Sequence, residues 1–185
     1  MGGSEPNHAG PAVDLALGWL GHRPHTAAEL RKRLAEHGLD PGEIDETLAG
    51  LARQGQVDDR RLALFYLLTR SGRLGHGPAR LAKELEERGV AAETIRDAWE
   101  EAVRDHGLDP VRLLDRALAK RLPGGRIDRT AARRVYNALL RAGFEAHAVR
   151  QALITRLDEE VAGFDEPDTE PRTTRPFIPE TRDER

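Results

Sequence analysis

One apolar phrase is written three times along this chain. It reads Leu30, Leu34, Gly38, Leu39, Ile44, Leu48; then Leu81, Leu85, Gly89, Val90, Ile95, Trp99; then Val135, Leu139, Gly143, Phe144, Val149, Leu153. Each statement keeps the offsets 0, 4, 8, 9, 14 and 18, and the starts lie 51 and 54 residues apart. Steps of four put side chains on one helix face, and a glycine at the end of such a run is the usual left-handed stop. A period of about 50 residues marks a repeat architecture in which each unit hides its apolar face against its neighbours. Three similar helical units are therefore expected, with function lying in how the units differ.

Local punctuation supports three helices per unit. An apolar stretch from Ala12 to Leu20 precedes a turn at Pro24, and Thr26 with Glu29 forms a capping-box signature for the second helix. Asp40 can cap the third helix, with Pro41 at its first position. The second unit opens with a helix near Asp59 to Thr69, and a glycine-rich turn from Gly72 to Pro78 leads into the helix of Leu81 and Leu85. The third begins near Asp109, breaks at Pro123, Gly124 and Gly125, resumes near Asp128 and ends near Leu157. Strand signals are absent. The expected fold is all-α: three tandem three-helix, helix-turn-helix-like repeats in an elongated, curved array. The repeats are read as 12–57, 58–106 and 107–162, with a disordered arm at 1–11 and a disordered acidic, proline-rich tail at 163–185. A unit of about 50 residues buries too little surface to stand comfortably alone, so contact between units is expected to supply part of the stability.

The net charge of −3 hides a gradient. Residues 1–108 hold 14 Lys+Arg against 18 Asp+Glu, residues 109–157 hold 11 against 4, and residues 158–185 hold 4 against 10. The successive net charges are −4, +7 and −6, so the third unit is basic and an acidic segment follows it. Within that unit Arg112, Arg116 and Lys120 recur at i, i+4 and i+8. Arg126 and Arg129 flank the Gly124–Gly125 turn, and Arg134 and Arg141 share a flank of the next helix. These seven cations are candidates for a surface facing phosphates or an acidic protein; the plain alternative is a solvated face neutralised by Asp109 and Asp115. Arginine accounts for all but three of the 29 cations, the lysines being Lys32, Lys83 and Lys120. That bias suits bidentate contacts, and a GC-rich genome would produce it too.

Other chemistry finds less support. The chain has no cysteine, which removes disulfides and thiolate metal sites and fits a reducing compartment. Residues 1–11 lack the apolar core of a secretory signal, and the longest apolar run, Leu62 to Leu68, is far short of a membrane span. A soluble cytoplasmic protein, without cofactor or metal, is the expectation. Asp58 and Asp59 are adjacent carboxylates preceding a helix, where capping explains both. His22 and His25 flank a turn without a third ligand nearby. Gly72, Gly75 and Gly77 lack the Lys-Ser/Thr ending and preceding strand of a phosphate loop. No nucleophile stands with a base and an orienting group at recognisable spacing, so catalysis is not expected. Base-edge readers are few, with Gln151 and Thr155 in the last unit, so any DNA contact is expected at the backbone.

Several of these residues together resemble the RecX family of regulators of the bacterial RecA recombinase. In the first unit they are Leu20, Arg23, Glu29-Leu30, Leu34, Gly38 and Ile44. Val57-Asp58-Asp59-Arg60 with Ala63 and Tyr66 follows, and Gly75, Gly77, Leu81, Leu85 and Gly89-Val90 complete the second. The likeness spans about residues 12–157 and is looser in the third unit. The resemblance implies a cytoplasmic, non-catalytic monomer that lies in the groove of the RecA filament and impedes strand exchange and coprotease action in recombination and the SOS response. It names the filament as partner, with single- or double-stranded DNA backbone as a second contact. The acidic tail is a departure from the family pattern. Two other readings stay open: a nonspecific DNA-binding protein, and a helical adaptor unrelated to recombination.

Overall fold

The computed structural model of the chain describes residues 10–122 and 128–155. Among them are nine α-helices and no strand, in agreement with the all-α reading. The helices are α1 (Pro11–Leu20), α2 (Ala27–Glu36), α3 (Pro41–Arg53), α4 (Asp59–Leu74), α5 (Pro78–Glu87), α6 (Ala92–His106), α7 (Pro110–Arg121), α8 (Arg129–Arg141) and α9 (Ala146–Ile154). They pack as trios, α1–α3, α4–α6 and α7–α9, each helix touching both others of its trio.

Helix starts follow the cap chemistry. The Thr26 hydroxyl accepts from the Glu29 backbone N–H at 3.0 Å while the Glu29 carboxylate accepts from the Thr26 N–H at 3.3 Å, closing the capping box of α2. Asp40, Asp58, Asp109 and Asp128 each accept a first-turn N–H of α3, α4, α7 and α8. Losing one such cap typically costs about 1 kcal/mol. The helix ends follow the repeated glycine: Gly38, Gly89 and Gly143 have φ of 82°, 82° and 87°. The next residue then reaches back, with the N–H of Leu39, Val90 and Phe144 donating to the carbonyl of Leu34, Leu85 and Leu139. This Schellman bond swings the apolar residue after the glycine toward the core, which is why offsets 8 and 9 travel together.

One boundary differs from the reading of the sequence. Helix α4 runs through Gly72 to Leu74, and the chain turns left-handed only at Gly75, with φ of 62°. A helix-interior glycine costs about 1 kcal/mol against alanine, too little to end a helix anchored by buried Leu62, Ala63 and Leu67. The Pro123–Gly125 break, most of the N-terminal arm and the acidic tail lie outside the described residues.

Every apolar position of the phrase is buried except Leu39 and Val135, which are half-buried. The core nevertheless forms two bodies rather than three. The first trio has its own, built on Ala16, Leu30, Leu34, Ile44 and Leu51. The second and third trios share one continuous cluster reaching from Leu62 to Leu153.

The two joints between trios use equivalent places and different chemistry. In each, the start of one trio's second helix sits on the glycine turn that ends the next trio's second helix. At the first joint Thr26 Oγ1 donates to the Arg88 carbonyl at 2.7 Å, and the Ala27 N–H donates to Asp59 Oδ1 at 2.9 Å. At the second the Gly77 and Ala79 N–H groups donate to the Ala142 and Gly143 carbonyls at 2.6 and 3.1 Å. A Cβ on Gly77 would collide with the Gly143 carbonyl, so this approach requires glycine.

Candidate partner-binding surface

The third trio carries the basic residues on faces that its core leaves outside. In α7, Leu113, Leu114, Ala117 and Leu118 turn inward, which leaves Arg112, Arg116 and Lys120 exposed. Four residues of helix rise by about 6 Å, so the three cations form one stripe along α7. Arg112 lies 3.6 Å from Asp109 in an exposed pair, worth about 0–1 kcal/mol at such a surface. Arg116 and Lys120 have no ion-pair partner among the described residues. Lys120 also lies in the last turn of α7, where the helix dipole favours a cation.

Helix α8 turns Ala132, Tyr136 and Leu139 inward and leaves Arg129, Arg134 and Arg141 exposed. Arg134 and Arg141 are two turns apart, about 10 Å along the axis. Helices α7 and α8 touch, so the structure brings six of the seven sequence candidates onto adjacent helices. The seventh, Arg126, lies outside the described residues. Arg133, outside the spacing that picks out the other cations, is exposed beside Arg134 and belongs to the same run. Arg121 is different: its Nη1 donates to the Ala117 carbonyl at 3.0 Å, folding it back on its own helix. Of the four acids between 109 and 157, Asp109 and Asp128 are engaged as helix caps, which leaves the stripes in cationic excess. Guanidinium groups so placed suit bidentate contacts to phosphate or carboxylate oxygens.

The Asp58–Asp59 pair splits its tasks. Asp58 caps its own helix, accepting the Arg61 N–H at 2.9 Å. Asp59 does not: its carboxylate caps the first turn of α2 in the neighbouring trio. Burial pushes Asp59 up from the usual carboxylate range, against the opposing pull of the Ala27 N–H, and the charge of Asp58 adds to the rise. Beside it the Arg88 Nε and Nη2 donate to the two Glu29 oxygens at 2.9 and 3.2 Å. Burial alone would raise Glu29, but the hydrogen bonds and charge of Arg88, joined by the Thr26 N–H and the charge of Arg23, outweigh it and hold the carboxyl below its ordinary value. The first joint is thus a polar clasp.

His25 is also structural. Its Nδ1 donates to the Arg23 carbonyl at 2.9 Å, and Arg33 Nη1 donates to its Nε2 at 3.0 Å, so the ring is held as the neutral Nδ1–H tautomer. Burial, then the charge of Arg23, lowers its pKa from the usual 6.5. Arg33 in turn stacks 4.5 Å over the Trp19 ring. Gly72, Gly75 and Gly77 serve a helix interior, a helix end and a joint. Gln151 and Thr155 are exposed at α9, where the Thr155 hydroxyl donates to the Ala152 carbonyl at 3.1 Å. Among the described residues no helix is long and apolar enough to cross a membrane.

Comparison with known proteins agrees with this arrangement. The family model of the RecX first three-helix domain matches residues 12–51, and that of the RecX second three-helix domain matches residues 58–98. A regulatory protein RecX of Halorhodospira halophila is 37% identical over 161 residues, 86% of this chain and 98% of that protein. One of Chlorobium phaeobacteroides is 33% identical over 77% of this chain and 91% of its own length. The crystal structure of RecX from Lactobacillus salivarius shares the fold with a TM-score of 0.64 at 20% identity, covering 78% of this chain and 93% of that one. Two matched three-helix domains, and relatives aligned over nearly their whole length, place this chain in the RecX family of regulatory proteins.

Proposed function

We propose that this chain is a non-catalytic regulator that binds the RecA filament and inhibits its recombinase, ATPase and coprotease activities in DNA repair and recombination. The observation that carries the reading is family membership over most of the chain, since the relatives bear the name of a regulatory protein rather than an enzyme. The fold supports it through linked trios that offer a long succession of helix faces to a repetitive partner. The basic stripes on α7 and α8 supply contacts for acidic filament patches or for DNA phosphates. The protein acts as a monomer in the cytoplasm.

The test is RecA-driven ATP hydrolysis and DNA strand exchange with the chain at less than one copy per recombinase protomer. Inhibition at that ratio supports filament binding. Inhibition only when the DNA is coated supports the nonspecific DNA-binding reading, which the +7 charge of residues 109–157 favours as second choice. No effect on either activity supports an adaptor unrelated to recombination.

A further inference from the structure

We propose that the acidic segment 158–185 is an internal competitor that docks on the basic stripes of α7 and α8 and must be displaced by an acidic or polyanionic partner. The contact rests on charge and reach; its consequence for binding rests on the partner-binding reading of those stripes. Residues 158–185 carry a net −6, residues 109–157 a net +7 and residues 1–108 a net −4. The third trio is therefore the one part of the chain that attracts the segment, and the remainder repels it. The segment also follows α9, which belongs to the same trio.

Reach is sufficient. The 28 residues of the segment reach at most about 95 Å, and the α7 stripe from Arg112 to Lys120 is only about 12 Å long. Tethering at that distance gives a local concentration in the mM range, so even a weak ionic contact is well populated. Arg116 and Lys120, exposed and without an ion-pair partner among the described residues, are available to receive carboxylates. Salt at about 0.15 M screens such charges beyond about 8 Å, so docking weakens as salt rises.

The lysine inventory provides a direct test, because Lys32, Lys83 and Lys120 lie one in each trio. Zero-length carbodiimide coupling of the full chain at low salt, read by peptide mass spectrometry, is expected to join segment carboxylates to Lys120 far more than to Lys32 or Lys83. Coupling to Lys120 is expected to collapse at about 0.5 M salt, where the screening length is only a few ångströms. Equal coupling to all three lysines overturns the proposal. So does Lys120 coupling that salt leaves unchanged, the result of tethering alone. In parallel, the full chain and its D158N/E159Q/E160Q/D165N/E166Q/D168N variant are titrated onto a fluorescent oligothymidylate. The variant is expected to bind on the order of tenfold more tightly, the effect of removing a ~mM local competitor of ~0.1 mM affinity. Equal affinity of the two chains overturns competition. Absence of binding by both also overturns competition with polyanions, and the coupling experiment decides the contact by itself.

Discussion

Replacing Gly77 by alanine tests how closely the second and third trios are joined. Gly77 has φ of −82° and ψ of 169°, a conformation alanine adopts freely. On backbone entropy alone the substitution would stabilise the protein by about 0.4–1 kcal/mol. The joint reverses that sign. The new methyl would meet the Gly143 carbonyl and, at 2.6 Å, the Phe144 nitrogen, all backbone atoms that no rotamer change can move. Overpacking of this kind costs about 1–3 kcal/mol, and separating the turns also weakens the Gly77 N–H bond to Ala142, worth about 1 kcal/mol. The net expectation is a loss of about 1–3 kcal/mol, or roughly 3–10 °C in Tm for a chain of this size. Differential scanning calorimetry measures it. Gly18→Ala is the control: that glycine is exposed inside α1 with nothing within 4 Å, so alanine should stabilise by about 0.5–1 kcal/mol. A Gly77→Ala protein as stable as the parent, or more stable, would refute the close backbone contact.

Three further outcomes follow from the same packing. Arg88→Ala should loosen the first joint by about 1–2 kcal/mol, a value kept low because Glu29 and Arg88 are each about one-fifth exposed, and should raise the Glu29 pKa in an NMR titration; an unmoved Glu29 contradicts the clasp. Because the His25 pKa is depressed when folded, the unfolded chain takes up its proton first as pH falls below 6.5. The stability due to neutral His25 is complete above that value and is lost between it and the depressed folded value, so the urea midpoint should drop from pH 7 to pH 5 more for the parent than for His25→Gln. Removing α7–α9 should lower the unfolding temperature of α4–α6, which loses half of a shared core, and spare that of α1–α3; an unchanged second trio would refute the continuity of the core.

Most of the helical plan is legible in sequence because its causes are local. Thr26 and Glu29 close their capping box within four residues, and Gly38, Gly89 and Gly143 terminate helices by the left-handed backbone of their own turns. The joints are not legible, because their partners are remote. Asp59 reads as a cap for the helix it opens, yet the N–H it binds is 32 residues earlier, and Glu29 meets Arg88 across 59 residues. Gly77 reads as part of a loose turn because its reason for being glycine is the carbonyl of Gly143. In the basic trio, composition finds the surplus of cations but not their fate. Arg116 and Arg121 look alike in sequence, and only the placement of the α7 core leaves the first exposed while the second folds back onto Ala117.

Co-sedimentation with RecA filaments measures filament binding itself. RecA assembled on DNA with a non-hydrolysable nucleotide is pelleted with the chain, alongside naked DNA and unassembled RecA at the same near-physiological salt. Filament binding predicts that the chain pellets with the filament and that an R116A/K120A/R134A variant pellets less. Equal recovery on naked DNA, or none on filaments, would contradict it.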